Sequence, residues 1–165
     1  MRVYLPATSS VLAKLVSAVP LAAPLTAFAV TPGLREWYVD DDIEELEYAA
    51  LLEAARASLR LLDSDDSAAR RRVVVALDVA DAAVIDRDDL DRGVVRIAGP
   101  VGLAQVAAVH VDDAAAEGAV ALAAAAITAA DLGEQSAQDA VDDAEGFELC
   151  WYASQEVESL LAALG

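Results

Sequence analysis

Asparagine is absent from this chain, and lysine, histidine and cysteine each occur once, as Lys14, His110 and Cys150. A single cysteine excludes an internal disulfide, and with one histidine no zinc-ligand spacing can be assembled. Nothing in the cysteine usage asks for an oxidising compartment, so a cytoplasmic setting is expected. The chain also lacks G-x-S-x-G, P-loop, G-x-G-x-x-G, H-E-x-x-H and C-x-x-C signatures. A Glu-x-x-His di-iron motif is excluded because Ala107 stands three residues before His110. No calcium loop is present either: Asp86, Asp88, Asp89 and Asp91 run into Arg92-Gly93 in the wrong register. No metal and no cofactor are therefore expected.

Positive charge is scarce. The net charge is −18, and it is uneven: residues 1–72 hold 8 basic against 11 acidic side chains (−3), residues 73–165 hold 3 against 18 (−15). Nucleic-acid binding rests on Lys and Arg neutralising phosphates, so this balance argues against a phosphate backbone and equally against an anionic membrane. It suits solubility, a basic protein partner or a cationic ligand.

What is abundant is apolar. Hydrophobic residues make up 57% of the 165, enough for one domain with a sizeable core. Alanine supplies much of the excess, which favours helices that lie close to a sheet. Residues 11–30 are apolar, and Ala27-Phe28-Ala29 imitates a signal-peptide cleavage site, but Lys14, Pro20 and Pro24 interrupt the run. Helix, turn and strand are expected there instead.

Strands are predicted at Arg2–Leu5, Leu25–Thr31, Val73–Leu77, Val94–Ala98, Val106–Val111 and Phe147–Tyr152. The unbroken Val73-Val74-Val75-Ala76-Leu77 run predicts a central strand buried on both faces. The strongest helix is Ile43–Leu62, with Asp42 as its cap, acids at its start and Arg56 and Arg60 near its end. Its core face is predicted as Ile43, Leu46, Ala50, Ala54, Ala57 and Leu61, and Leu51, Leu52, Leu59 and Leu62 widen the apolar surface, so cover on more than one side is expected. Thr31 and Pro32 have the pattern of a cap and first residue for a short helix. Residues 80–92 contain no clear strand.

The order of elements nearly repeats between residues 1–86 and 93–165, and Val39-Asp40-Asp41 echoes Val111-Asp112-Asp113. The predicted fold is a single α/β domain over residues 1–165, with about six strands and helices packed on the sheet. It can be built either as one unit or as two pseudo-repeated β-α-β-α-β-α halves. A ferredoxin-like α+β arrangement, with helices on one side only, is the alternative.

Two constellations carry chemistry. His110 near a strand end, Asp112 two residues on, and Asp78 at the end of another strand could orient a general base if the strands ran parallel. The same aspartates also read as helix caps. Arg35-Glu36-Trp37-Tyr38, followed by acids and then Glu44, Glu47 and Tyr48, form the densest mix of aromatic and charged side chains, with Arg35, Trp37, Tyr38, Glu47 and Tyr48 as candidate binding residues. The same tryptophan could instead staple the long helix to the sheet.

Several stretches resemble an uncharacterised actinobacterial family known only as a domain of unknown function. They are Met1-Arg2-Val3-Tyr4-Leu5-Pro6-Ala7-Thr8, Phe28-Ala29-Val30-Thr31-Pro32, Leu34-Arg35-Glu36-Trp37-Tyr38, Glu45-Leu46-Glu47-Tyr48-Ala49-Ala50, Val109-His110-Val111-Asp112-Asp113 and Trp151-Tyr152-Ala153. The resemblance runs nearly end to end. It implies a soluble cytoplasmic protein from a high-GC bacterium and transfers no catalytic residue. The expected role is a non-catalytic protein-binding or adaptor module, acting on a protein partner or as a homodimer. A small enzyme or ligand-binding protein built on His110 and its neighbouring aspartates is the alternative.

Overall fold

The computed structural model describes residues 1–38 and 42–164. The Val39-Asp40-Asp41 half of the Val-Asp-Asp echo lies outside them. In chain order the elements are β1 (Arg2–Ala7), α1 (Ser9–Val16), β2 (Leu25–Phe28), α2 (Pro32–Trp37), α3 (Ile43–Asp63), β3 (Val73–Asp78), β4 (Val84–Asp86) and β5 (Val94–Ile97). They continue with β6 (Val106–Val111), α4 (Glu117–Asp131), α5 (Gln135–Glu145), β7 (Cys150–Ala153) and α6 (Val157–Leu164). The described residues thus form a mixed α/β domain on one seven-stranded sheet, in the order β4-β5-β2-β1-β3-β6-β7.

Every neighbouring pair in that sheet is antiparallel. The strands from residues 93–165 do not form a sheet of their own. β5 pairs with β2 on one flank, while β6 and β7 extend the other flank beyond β3. The seventh strand, β4, falls in the stretch read as lacking one. It has only Val84 and Ile85 to mark it, and a three-residue edge strand is too short to show a period. The last strand starts at Cys150 rather than Phe147.

β3 is central, as its composition predicts. Val73, Val75 and Leu77 face α1 and α6 in a cluster with Val3, Leu5, Val109 and Val111. Val74 and Ala76 face the other way, with Tyr4, Phe28 and Ala108, under Ala50, Ala54 and Ala55 of α3. Helices therefore cover both faces, and the one-sided ferredoxin-like arrangement is not the one found. Alanines at 50 and 54 let α3 approach the sheet closely enough to touch it with backbone-proximal atoms.

A third cluster joins Leu59 and Leu62 of α3 to Val120, Ala123 and Ile127 of α4 and Val141 of α5. Because α3 is packed on two sides, its buried face rotates along its length. Leu46, Ala50 and Ala54 are buried as predicted, but Leu59 and Leu62 take the later core places, while Ile43 and Leu61 are exposed. The stretch Ala114–Asp131 is long and apolar enough to cross a membrane by length and composition. In this fold that apolar character goes into packing α4 against α3 and α5.

Polar groups tie these layers together. Ser58, fully buried, donates to the Ala7 carbonyl at 2.7 Å and accepts from the Val73 amide at 3.2 Å, joining α3 to two strands. Arg72 and Asp112 form a buried ion pair where β3 begins and β6 ends. Asp112 accepts from the Arg72 backbone amide, Nε and Nη2, each at 2.8 Å, and Nη2 also donates to the Phe147 carbonyl at 2.9 Å.

Candidate functional site

The catalytic grouping suggested by the sequence is not assembled. It presumed parallel strands whose ends meet. Because β3 and β6 are antiparallel, with Val73 opposite Val111 and Leu77 opposite Val106, Asp78 and Asp112 sit at opposite ends of the ladder. Asp78 is exposed and bound by Arg2, whose Nε donates to Oδ1 at 2.7 Å and whose Nη2 donates to Oδ2 at 3.2 Å. That guanidinium holds the Asp78 carboxyl below the usual range. Asp112 is buried with both oxygens committed to Arg72. Its neighbour Asp113 is the cap, accepting from the Ala115 amide at 2.9 Å.

His110 stands between these ends, opposite Val74 on one side and Trp151 on the other, and is half-buried. Partial burial, and then the positive charge of Arg2, push its pKa below the ordinary value. Neutral His110 is thus built into the fold. An imidazole with a lowered native pKa binds fewer protons folded than unfolded, so stability must rise with pH through that interval. On acidification the loss begins near the unfolded value of about 6.5 and is complete below the native value. Urea titrations at pH 7.5 and 5.5 are expected to show a smaller acid-induced loss for His110→Gln than for the parent chain. Parallel losses would mean that His110 carries no such linkage.

The second candidate region is built around two helix starts. Thr31 caps α2, accepting from the Leu34 amide at 3.1 Å, and its hydroxyl also donates to the Arg92 carbonyl, which fixes α2 against the approach to β5. Pro32 occupies the first turn. Leu34 is buried and anchors the helix, so Arg35 and Trp37 lie outside. Trp37 is 61% exposed. The Arg92 guanidinium lies 3.7 Å from its ring centroid, a cation–π contact worth about 0.5–1 kcal/mol at an exposed position.

α3 begins with the Asp42 carboxylate accepting from the Glu44 amide at 3.0 Å. Since Leu46 and Ala50 face inward, Glu44, Glu45, Tyr48 and Leu52 face outward. Together with Tyr38 and Glu53 they line a hollow of about 630 Å³. Tyr38 and Glu53 also line a narrower slot of about 180 Å³ that ends at Trp37, Asp91 and Arg92. At the other end, Tyr48 and Leu52 line a slot of about 160 Å³ together with Phe147, Leu149, Glu145, Glu148 and the buried Arg72. Three hollows sharing side chains make one trough along the outer face of α3.

Glu53 stands at the junction. Crowding by protein atoms, and then the nearby Asp91 carboxylate, push its pKa up. The Arg56 and Arg60 guanidinium groups act in the opposite sense without outweighing these two. The trough brings together Trp37, Tyr38 and Tyr48 of the predicted binding set. Glu47 points elsewhere, toward the sheet, where it accepts from the Tyr4 hydroxyl at 3.5 Å. Arg35 is on α2 but does not line the trough. Glu44, which belongs to the same mixed stretch, also lines it, whereas Asp42, Glu45, Glu53 and Leu52 were not singled out from the sequence. Their signal was present as the outward stripe of α3, at steps of three and four from the buried residues.

Among the described residues no group of three or more His, Cys, Asp or Glu is placed to hold a metal ion. Cys150 is a free, half-buried thiol. A family model described as a family of unknown function, DUF6912, matches residues 1–161. No curated protein and no solved structure matches this chain.

Proposed function

We propose, for a chain that belongs to the family of unknown function DUF6912, that it is a non-catalytic protein-binding module whose trough along α3 receives a basic, partly apolar segment of a partner. The observation that carries this is the continuity of exposed aromatics with carboxylates. Trp37, Tyr38, Tyr48 and Leu52 offer apolar contact, and Asp42, Glu44, Glu45, Glu53 and Glu145 surround them. Exposed aromatics are the usual energetic anchors of interfaces, and a mainly acidic rim, in which Arg92 at one end lies on Trp37 and Arg72 at the other is bound by Asp112, selects partners of opposite sign. A second copy would bring acid against acid, so the partner is a different chain. The net charge of −18 keeps nucleic acids and anionic bilayers away while steering a basic segment inward. The proposed setting is the cytoplasm, which suits a chain with a single cysteine.

The test uses a synthetic twelve-residue peptide alternating Arg and Leu, titrated into the full chain and followed by calorimetry. Binding is expected to weaken on adding salt, because exposed charges are screened. Trp37→Ala or Tyr48→Ala should weaken it about thirtyfold, the size of a hot-spot loss of about 2 kcal/mol. Glu44→Lys with Glu45→Lys should weaken it further, with unchanged circular dichroism. A cation beside Glu53 offsets its raised pKa, so affinity should also rise with pH through that titration. If the peptide binds no better than its Glu/Leu counterpart, or binds the Trp37 and Tyr48 variants as well as the parent, the proposal fails.

A further inference from the structure

The central sheet is opened at one point. β1 pairs with β3 over six residues, from Arg2↔Asp78 to Ala7↔Val73, but with β2 it is in register only at Tyr4↔Phe28. Beyond that pair the strands part, and Pro6, without an N–H, has no donor to offer β2. The connection from α1 to β2, which lines the opening with Val19, Pro20 and Pro24, is fixed by Leu21, which exchanges backbone hydrogen bonds with Val101 at 2.7 and 3.1 Å. The result is a cleft of about 740 Å³ with Leu5, Pro6, Leu25 and Phe28 on the strand side and Ala57 and Leu61 on the α3 side. Its volume lies within the roughly 300–1,000 Å³ usual for small-molecule sites, which combine apolar walls with few polar groups. Val19 and Leu61 are exposed along it.

The cations at this cleft are Lys14 and Arg60. Arg60 is already neutralised, its Nε and Nη2 donating to Asp131 at 2.8 and 2.9 Å. Lys14, the only lysine, has no carboxylate partner among the described residues. Nor is it needed to cap α1, whose final carbonyls accept from the amides of Ser17, Ala18 and Val19. On the adjoining strand Arg96, opposite Thr26 of the cleft, has its Nε buried with no hydrogen-bond partner among the described residues. A lysine without a carboxylate partner thus stands at an apolar opening of a strongly acidic chain.

We propose that this cleft binds a free medium-chain aliphatic carboxylate, its hydrocarbon tail between β1, β2 and α3 and its carboxylate on the Lys14 ammonium. The site is separate from the trough, so either can fail without the other. The experiment titrates octanoate and, separately, 1-octanol into the full chain, following the methyl resonances of Leu5, Leu25 and Leu61. Octanoate is expected to shift those resonances and to bind roughly tenfold more tightly than 1-octanol, the effect of one charge-assisted hydrogen bond. Lys14→Met, which retains an apolar stem at an exposed position, should remove that roughly tenfold preference while leaving 1-octanol unaffected. Ala57→Phe, checked for folding by circular dichroism, should weaken both ligands by filling the cleft. Absence of shifts with octanoate overturns the site. Equal affinity for the alcohol, or an unaltered preference in Lys14→Met, overturns the assignment of an anionic ligand.

Discussion

Asp112→Ala is expected to lower the unfolding free energy by about 3–5 kcal/mol, because it strands a buried guanidinium. The Arg72 and Asp112 side chains are 2% and 0% exposed, and Asp112 satisfies three donors at once. Without it, the Arg72 amide and two guanidinium nitrogens lose their acceptor in a place water does not reach. The melting temperature should fall by about 6–20 °C for a chain of this size. The substitution should also loosen the turn after α5, since Arg72 holds the Phe147 carbonyl. Hydrogen exchange should then quicken around residues 146–149 before it quickens in β3. A double substitution, Arg72→Met with Asp112→Leu, should recover most of the loss. Replacing a buried pair with apolar groups of similar volume removes the desolvation penalty together with the attraction. A single variant within about 1 kcal/mol of the parent in a urea titration would show that solvent enters this site.

The second large effect belongs to Leu59→Ala, expected to cost about 2–5 kcal/mol through lost burial and a cavity that the surroundings only partly fill. Leu59 is fully buried where α3 meets α4, in a cluster with Leu62, Val120 and Ile127. Leu61→Ala, two positions away, should cost no more than about 0.5 kcal/mol, because its side chain lies at the open cleft. The pair of measurements separates two assignments of the α3 core face. Helical spacing from Ile43 alone puts Leu61 inside. Equal losses for the two substitutions would restore that assignment and contradict the packing of α4 on α3.

The contrast between these residues shows where local pattern stops being informative. The start of α3, the Thr31-Pro32 start of α2 and the burial of β3 on both faces follow from short-range chemistry: a capping oxygen, a fixed φ, a β-branched run. Strand direction does not. A strand reads the same whichever way its neighbour runs, so His110, Asp112 and Asp78 looked like one site. Antiparallel pairing separated Asp78 from Asp112 by the length of the strand and brought Arg72 to Asp112 instead. In the sequence, Arg72 is only the last of three consecutive arginines ahead of β3. Once Val73 is placed opposite Val111, the flanking Arg72 and Asp112 become neighbours, but that register is a long-range choice.

The same distinction applies to the two proposed binding surfaces. The aromatic residues of the trough were visible because Trp and Tyr are rare here and close together in the chain. The cleft was not visible, because its walls come from β1, α1, β2 and α3, and it exists only where β1 and β2 part.

By itself, the amino-acid order determined the acidic surface, the absence of thiol and imidazole ligand sets, the alternation of strands and helices, and that β3 is an interior strand buried on both faces. These depend on composition and on contacts within a few residues. Tertiary structure alone decided that the sheet is antiparallel, that Asp112 is an internal ion-pair partner of Arg72, and that the one lysine stands beside an apolar opening. Those outcomes depend on pairings between residues distant in the chain, 40 positions in the case of Arg72 and Asp112, where many arrangements bury similar area and only the whole fold selects among them.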